Sequence, residues 1–221
     1  YINMEKLKHI IFASGSYAPV HRGHLKNWIE GVNHFFLEKQ KTDPELKKDE
    51  IKLIVIPMGD SYEKSSIQKV TFSQRVDLLN LLLENEDIDF QIEIDYFWNR
   101  PEPPEEGIEE INYLHKKYNI KPVMLAGADT IIDALTNWGL SYEAKKDMFE
   151  DNQFLISCST EKSERGSCDD IKTLFDTEII KNNINSTLIP FELTNTEFSS
   201  TVLRKGLDSV YKKENHKNIL L

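Results

Sequence analysis

Cysteine is scarce in this chain of 221 residues, where only Cys158 and Cys168 occur. Two cysteines are too few for a disulfide framework and lack the paired spacing of a zinc site. Both therefore read as free thiols in a reducing compartment. Long apolar runs are missing as well: no stretch approaches the roughly 20 residues that a membrane span needs. Lys6, Lys8 and His9 precede only the short run Ile10 to Ala13, so no secretory leader and no membrane partner are expected. Tyr1 to Asn3 stand ahead of the first methionine, Met4, and are expected to be foreign to the natural chain. The third absence is an excess of positive charge. With 27 Lys+Arg against 37 Asp+Glu the net charge is −10 at pH 7, which argues against nucleic-acid binding driven by a basic surface. Anionic small ligands stay open, because a few well-placed cations decide such sites locally. Mixed-charge clusters such as Glu45 to Glu50 read as solvated faces.

What remains is the composition of an ordinary soluble globular protein, 39% hydrophobic and 29% charged. Its length is enough for one substantial core, and a single domain over residues 1–221 is expected, with the core from about residue 9 to 206. A cytoplasmic or nuclear location is expected. Apolar runs alternate with helical patterns along nearly the whole sequence. Buried strands are predicted at His9 to Ala13, Leu53 to Pro57, Phe90 to Ile94, Val123 to Ala126, Phe154 to Cys158 and Thr187 to Phe191. Helices are predicted from His24 to Lys39, from a capping box at Thr71 to Gln74, at Ile108 to Lys117, Thr130 to Leu135 and Asp169 to Phe175, and from about Ser200. Strands without polar–apolar alternation are covered on both faces, so the order implies an α/β fold: a Rossmann-like, doubly wound parallel sheet with flanking helices. Such a sheet binds ligands at the carboxyl ends of its strands. The residue clusters of interest do follow the apolar runs. Asn99 to Glu106 reads as an exposed loop, and Ser159 to Asp170 as a second polar stretch expected to be mobile.

The first cluster is Gly15-Ser-Tyr-Ala-Pro-Val-His-Arg-Gly-His24. Gly15 permits a tight turn, Pro19 stiffens the loop, and a helix opens near His24 with its amide groups and dipole facing outward. His21 and His24, three apart, could both donate to phosphate oxygens. From the loop alone, an anion site and a surface turn with two exposed histidines are equally compatible. The second cluster, Glu197 to Arg204, offers Ser199, Ser200 and Thr201 as cap and hydroxyl donors, with Arg204 one turn on. A serine-rich cap followed by an arginine is also common in any helix. The third is Leu125-Ala-Gly-Ala-Asp129, where Asp129 after Gly127 suits a ribose hydroxyl or a metal, and equally a helix N-cap.

Together these clusters resemble the nicotinamide/nicotinate mononucleotide adenylyltransferases of the H-x-G-H nucleotidylyltransferase group. The family's G-S-F-x-P and histidine pair stand here as Gly15 to Pro19 and His21-Arg22-Gly23-His24. Its terminal I-S-S-T-x-I-R is similar to Phe198 to Arg204, and its L-x-G-A-D-x-L segment with a following Trp to Leu125 to Asp129 with Trp138. Pro57 to Lys64 and Gln74-Arg75 look like the P-x-G-D-x-Y-x-K and H-R segments of eukaryotic-type members. The resemblance runs in order from about Ile10 to Gly206. Three departures stand out: Ala18 replaces the family's Asn, Ser157-Cys158-Ser159 replaces an arginine after the fifth strand (Arg165 being a stand-in), and the aromatic after Asp95 is either Phe97 or Trp98.

The resemblance implies transfer of AMP from ATP to a pyridine mononucleotide, with release of pyrophosphate. It gives His24 the main transition-state contact, with His21 and Arg204 as further catalytic contacts. ATP would lie against Gly15, Ser16, Tyr17, Gly127, Asp129, Ser199, Ser200 and Thr201. The mononucleotide would meet Ser16, Tyr17, Lys64, Trp138 and either Phe97 or Trp98, although core packing explains the aromatics nearly as well. Mg²⁺ would arrive with ATP and mostly keep its waters. A homo-oligomer is compatible with this reading. Two alternatives stand beside it: another phosphorylated acceptor in the same fold, and a degenerate nucleotide-binding sensor module.

Overall fold

The computed structural model describes residues 6–60, 70–84, 86–99, 108–159 and 167–193. Six strands form one sheet: β1 (His9–Gly15), β2 (Ile51–Pro57), β3 (Gln91–Ile94), β4 (Val123–Gly127), β5 (Gln153–Ser159) and β6 (Thr187–Leu193). Their order is β3-β2-β1-β4-β5-β6 and every pairing is parallel. The strand order reverses between β1 and β4, which makes that gap the topological switch point of a doubly wound sheet. The two strands are in register only at Ile11↔Val123 and Phe12↔Met124. Beyond those pairs the ladder stops, at the place where doubly wound sheets leave a crevice.

The helices are α1 (Arg22–Gln40), α2 (Phe72–Glu84), α3 (Ile108–Tyr118), α4 (Ala128–Ile132), α5 (Tyr142–Phe149) and α6 (Cys168–Glu178). Side chains of successive strand residues point to opposite faces, and both faces are covered. Ile11, Ala13, Leu53 and Val55 bury against Leu25, Trp28, Val32 and Phe35 of α1 and Leu79 of α2. Ile10, Phe12, Ile54 and Ile56 bury on the other side with Ile111, Leu114 and Tyr118 of α3. Farther along that side, Phe154 and Ile156 pack with Ile131, Phe149, Ile171 and Phe175. The parallel α/β layering expected from uninterrupted apolar strands is what forms. Among the described residues no helix is long and apolar enough to cross a membrane.

The elements differ from expectation in three places. α1 begins at Arg22, two residues early, because His21 itself serves as the N-cap. α5 was not predicted; its Ser141 hydroxyl caps Ala144 N–H, but the polar run Tyr142 to Asp147 hides the single buried anchor Phe149. The helix after β4 widens into one π turn at Asp133–Asn137. The reading of two free thiols is corrected. Cys158, near the end of β5, and Cys168, the first residue of α6, form a disulfide with Cα atoms 5.2 Å apart. Chain reversal between β5 and α6 brings them together, so a spacing of ten residues carries no sequence signal. Cysteine usage accordingly gives no support to a reducing compartment. The helix expected from Ser200 lies outside the described residues.

Candidate functional site

The loop after β1 is shaped by two side chains. Tyr17 adopts a left-handed conformation, φ 45°, and its ring turns inward, where the hydroxyl donates to Ala13 O at 2.9 Å. The ring meets His24 and Trp28 edge-on at 5.2 and 5.5 Å. A Cβ on residue 15 would lie 3.1 Å from that ring, which is why glycine sits there. Tyr17 is buried, and burial drives its hydroxyl pKa well above the usual range. Ala18 is buried too, its methyl enclosed within the loop.

His21 and His24 form a reciprocal cap at the start of α1. His21 Nδ1 accepts Gly23 N–H at 3.1 Å, and His24 Nδ1 accepts His21 N–H at 3.2 Å. A ring nitrogen that accepts a hydrogen bond carries no proton, so in the neutral imidazole the proton resides on Nε2. Both histidines thereby become Nε2 donors, with ring centroids 3.9 Å apart. The first turn of α1 contains no acidic residue. The positive end of a 19-residue helix that carries no acid in its own first turn favours an anion.

Across the crevice, β4 ends at Gly127, whose main chain forms the N-cap of α4. Asp129 is exposed and lies in the first turn, and no side-chain cap bond is made there. The N-cap explanation of Asp129 thus does not hold; the cap is the residue two positions earlier. Asp129 Oδ1 instead folds back into the space that a Cβ on residue 127 would fill. Trp138 follows the π turn, is 53% exposed, and its N–H closes that turn on Asp133 O at 2.9 Å. π turns recur at functional sites.

The corner after β3 separates the two aromatics. Phe97 is 2% exposed and belongs to the core, against Tyr113 at 4.9 Å. Trp98 is half-buried and donates its indole N–H to Glu110. Glu110 also accepts Ser14 Oγ at 2.6 Å, so the corner after β3 is tied to the end of β1. Burial pushes the Glu110 carboxyl up to about 7, against the opposing pull of the Ser14 and Trp98 hydrogen bonds.

Two residues that sequence reasoning did not place in the site organise it. One is Glu110. The other is Arg75 of α2, 0% exposed, which donates to Ser16 O at 2.9 Å, Met58 O at 2.6 Å, Val70 O at 3.2 Å and Asp60 Oδ1 at 3.0 Å. It binds the loops after β1 and β2 to one another. Both residues were detectable as charges on apolar stripes, Arg75 one turn before Leu79 and Glu110 one turn before Leu114. The structure thus brings Gly15, Ser16, Tyr17, His21, His24, Phe97, Trp98, Gly127 and Asp129 to the carboxyl ends of the strands, with the Tyr17 and Phe97 rings turned inward, whereas Trp138 stands at the far end of the helix that follows β4. Lys64, Arg165, Ser199, Ser200, Thr201 and Arg204 lie outside the described residues. Ser157-Cys158-Ser159 forms the last three residues of β5, with Ser157 buried and Cys158 in the disulfide.

Comparison with solved structures agrees with this fold. A Plasmodium falciparum nicotinic acid mononucleotide adenylyltransferase complexed with APC is similar at TM-score 0.58 and 16% identity, over 90% of this chain and 83% of that one. The Plasmodium falciparum nicotinic acid mononucleotide adenylyltransferase complexed with NaAD is similar at TM-score 0.55, with 16% identity and the same 90% and 83% coverage. The Rossmann-like architecture is shared. No family model matches the sequence, and no curated protein does.

Proposed function

We propose that this chain is an adenylyltransferase that moves AMP from ATP to nicotinate or nicotinamide mononucleotide. The observation that carries the reading is the histidine pair. Two Nε2 donors stand side by side at the N-terminus of α1, whose first turn carries no acid, at the switch point of the sheet. That arrangement suits a polyphosphate whose charge is being redistributed. The structural neighbours that share the fold carry the same activity in their names, and theirs is the nicotinic acid form.

In the reaction a phosphate oxygen of the mononucleotide attacks the α-phosphorus of ATP. The bond from that phosphorus to the bridging oxygen breaks, and pyrophosphate leaves. The nucleophile is already an anion, so the protein needs to supply alignment and charge stabilisation rather than a covalent intermediate. His24 donates to the α-phosphate oxygens, where charge develops, and His21 supports it. Arg204, Ser200 and Thr201 complete the phosphate contacts and Lys64 faces the mononucleotide phosphate; these four assignments rest on the sequence resemblance. Trp98 and Trp138 offer ring faces for the pyridine, and the exposed Asp129 suits a ribose hydroxyl or a water on Mg²⁺. Mg²⁺ would arrive on the ATP phosphates and neutralise charge there.

The decisive measurement is pyrophosphate release from ATP with each of the two mononucleotides. The His24→Ala variant is expected to turn over about 10²–10³-fold more slowly while remaining folded, with loss of its half of the α1 cap lowering stability by only about 1 kcal/mol. ATP binding without mononucleotide-dependent pyrophosphate release, or a His24→Ala variant with normal turnover, refutes the proposal.

A further inference from the structure

One face of α3 fastens the corner after β3 at three consecutive points. Glu110, Tyr113 and Lys117 are spaced i, i+3, i+7 and so share that face. Lys117 Nζ donates to Asp95 at 2.7 Å and to Glu93 at 3.0 Å. Tyr113 donates its hydroxyl to Asp95 at 3.0 Å, and its ring lies 4.9 Å from that of Phe97. Glu110 then takes the next residue, Trp98, by its indole N–H. Of the two aromatics that α3 touches, Trp98 presents part of its ring outward while Phe97 is buried, as is Asp95; Tyr96, 51% exposed, lies against Phe72 of α2 instead.

The Glu110 contact differs in kind from the other two. A carboxyl that is 3% exposed, within an otherwise apolar stripe of Ile111, Leu114 and Tyr118, is costly to bury unless its bonds matter. Its Oε1 accepts from both Trp98 and Ser14, one residue before Gly15 in the phosphate-facing loop. An indole has two side-chain torsions. The Glu110 bond fixes one edge, and the edge-on contact with Phe97 at 5.2 Å limits the other. The ring plane is thereby set in the free protein, in register with the end of β1.

We propose that Glu110 is the positioning residue for the acceptor half of the site, holding the Trp98 indole at a fixed angle beside the β1 loop so that a pyridine ring can stack on it. This rests on the function proposed above. Glu110 touches neither substrate in this scheme and acts through Trp98 and Ser14. A residue with a purely space-filling role would be replaced by leucine without disturbing Trp98.

The test uses Glu110→Leu, Glu110→Asp, which retracts the carboxylate by one methylene and keeps its charge, and Glu110→Gln, whose amide oxygen can still accept both bonds. Each is compared with a partner also carrying Trp98→Phe, so that the difference spectrum belongs to Trp98 alone. Glu110→Leu and Glu110→Asp should red-shift Trp98 emission and increase its quenching by acrylamide, and Glu110→Gln should restore the native spectrum. In kinetics, Glu110→Asp and Glu110→Leu should raise KM for the mononucleotide about tenfold while KM for ATP changes less than about twofold. An unchanged Trp98 signal in both the Asp and the Leu variants overturns the positioning role, and so does an equal rise in the two KM values. If Glu110→Leu does not fold, the aspartate variant decides alone. Wild-type protein with no mononucleotide-dependent turnover would instead sink the proposed function, and the fluorescence comparison would still decide whether Glu110 sets the indole.

Discussion

Replacing Arg75 by methionine is the sharpest test of how the site is held. The guanidinium is fully buried and its donors are spread over four partners in three segments: the loop after β1, the loop after β2, and the lead-in to α2. Asp60 is the weakest partner. Its side chain is 53% exposed, so the ion pair contributes at most about 1 kcal/mol. The three carbonyl bonds dominate. A hydrogen bond to a charged group contributes about 1.5–3 kcal/mol. Methionine fills the volume and avoids the cost of burying a charge, which offsets part of that loss. The net expectation is about 3–5 kcal/mol of destabilisation, the loss of three charge-assisted bonds less that offset. For a chain of this size that corresponds to a fall in Tm of about 10 °C. Urea unfolding followed by circular dichroism should show a lower midpoint with an unchanged slope. Arg75→Lys should recover less than half of the loss, because an ammonium cannot span partners that lie in different directions. A methionine variant within about 0.5 kcal/mol of wild type would refute the reasoning, since losses that small are typical of surface substitutions.

Three further expectations follow from the same geometry. The Glu110 carboxyl titrates at about 7 in the fold, above its ordinary value of 4.5, so its ionisation opposes folding and the stability it allows is lost as pH rises between those values. Relative to Glu110→Gln, wild type should lose up to about 3 kcal/mol from pH 4.5 to above 7, and parallel pH–stability curves for the two proteins would contradict this. The Cys158–Cys168 disulfide closes a loop of ten residues and should contribute about 2–3 kcal/mol, read as a Tm drop of about 5–10 °C in Cys158→Ser/Cys168→Ser. Two titratable thiols in the native, unreduced protein would show that the bond is absent. Gly15→Ala places a methyl 3.1 Å from the Tyr17 ring and should cost about 1 kcal/mol or more, whereas unchanged stability would mean that the loop relaxes freely.

Much of the sheet was legible because its strands are nearly uniform apolar runs. β2 is buried at all seven positions, and parallel layering follows from that. The crevice was legible for the same reason: β1 ends on Gly15 with His21 and His24 beyond it, and β4 ends on Gly127 with Asp129 beyond it. What could not be read were long-range pairings. Ser14 and Glu110 are 96 positions apart, Ser16 and Arg75 are 59 apart, and each pair meets only because the topology returns the chain to the same sheet end. The choice between Phe97 and Trp98 was of this kind too. Neighbouring aromatics on an irregular corner point in opposite directions, and only the packing of α3 decides which is core. For α5 the polar surface outweighed one buried phenylalanine.

Backbone irregularity separates the two ends of the sheet. Away from the crevice, the non-glycine residues Asn119, Asp151 and Asn183 take positive φ, residue types for which the left-handed region is cheap. They end helices or turns that lead into strands and need no further explanation. Tyr17, in the crevice, is the exception among the described residues. An aromatic side chain at φ 45° costs about 1–2 kcal/mol, and the surroundings must over-determine it. They do so through the Ala13 hydrogen bond and the edge-on contacts with Trp28 and His24. The last contact is the informative one. The ring that absorbs the strain is the ring against which His24 rests, so the conformation of the β1 loop and the direction of the His24 donor are fixed by one side chain. Irregular backbone at this end seats the His24 ring; at the other end it only turns the chain.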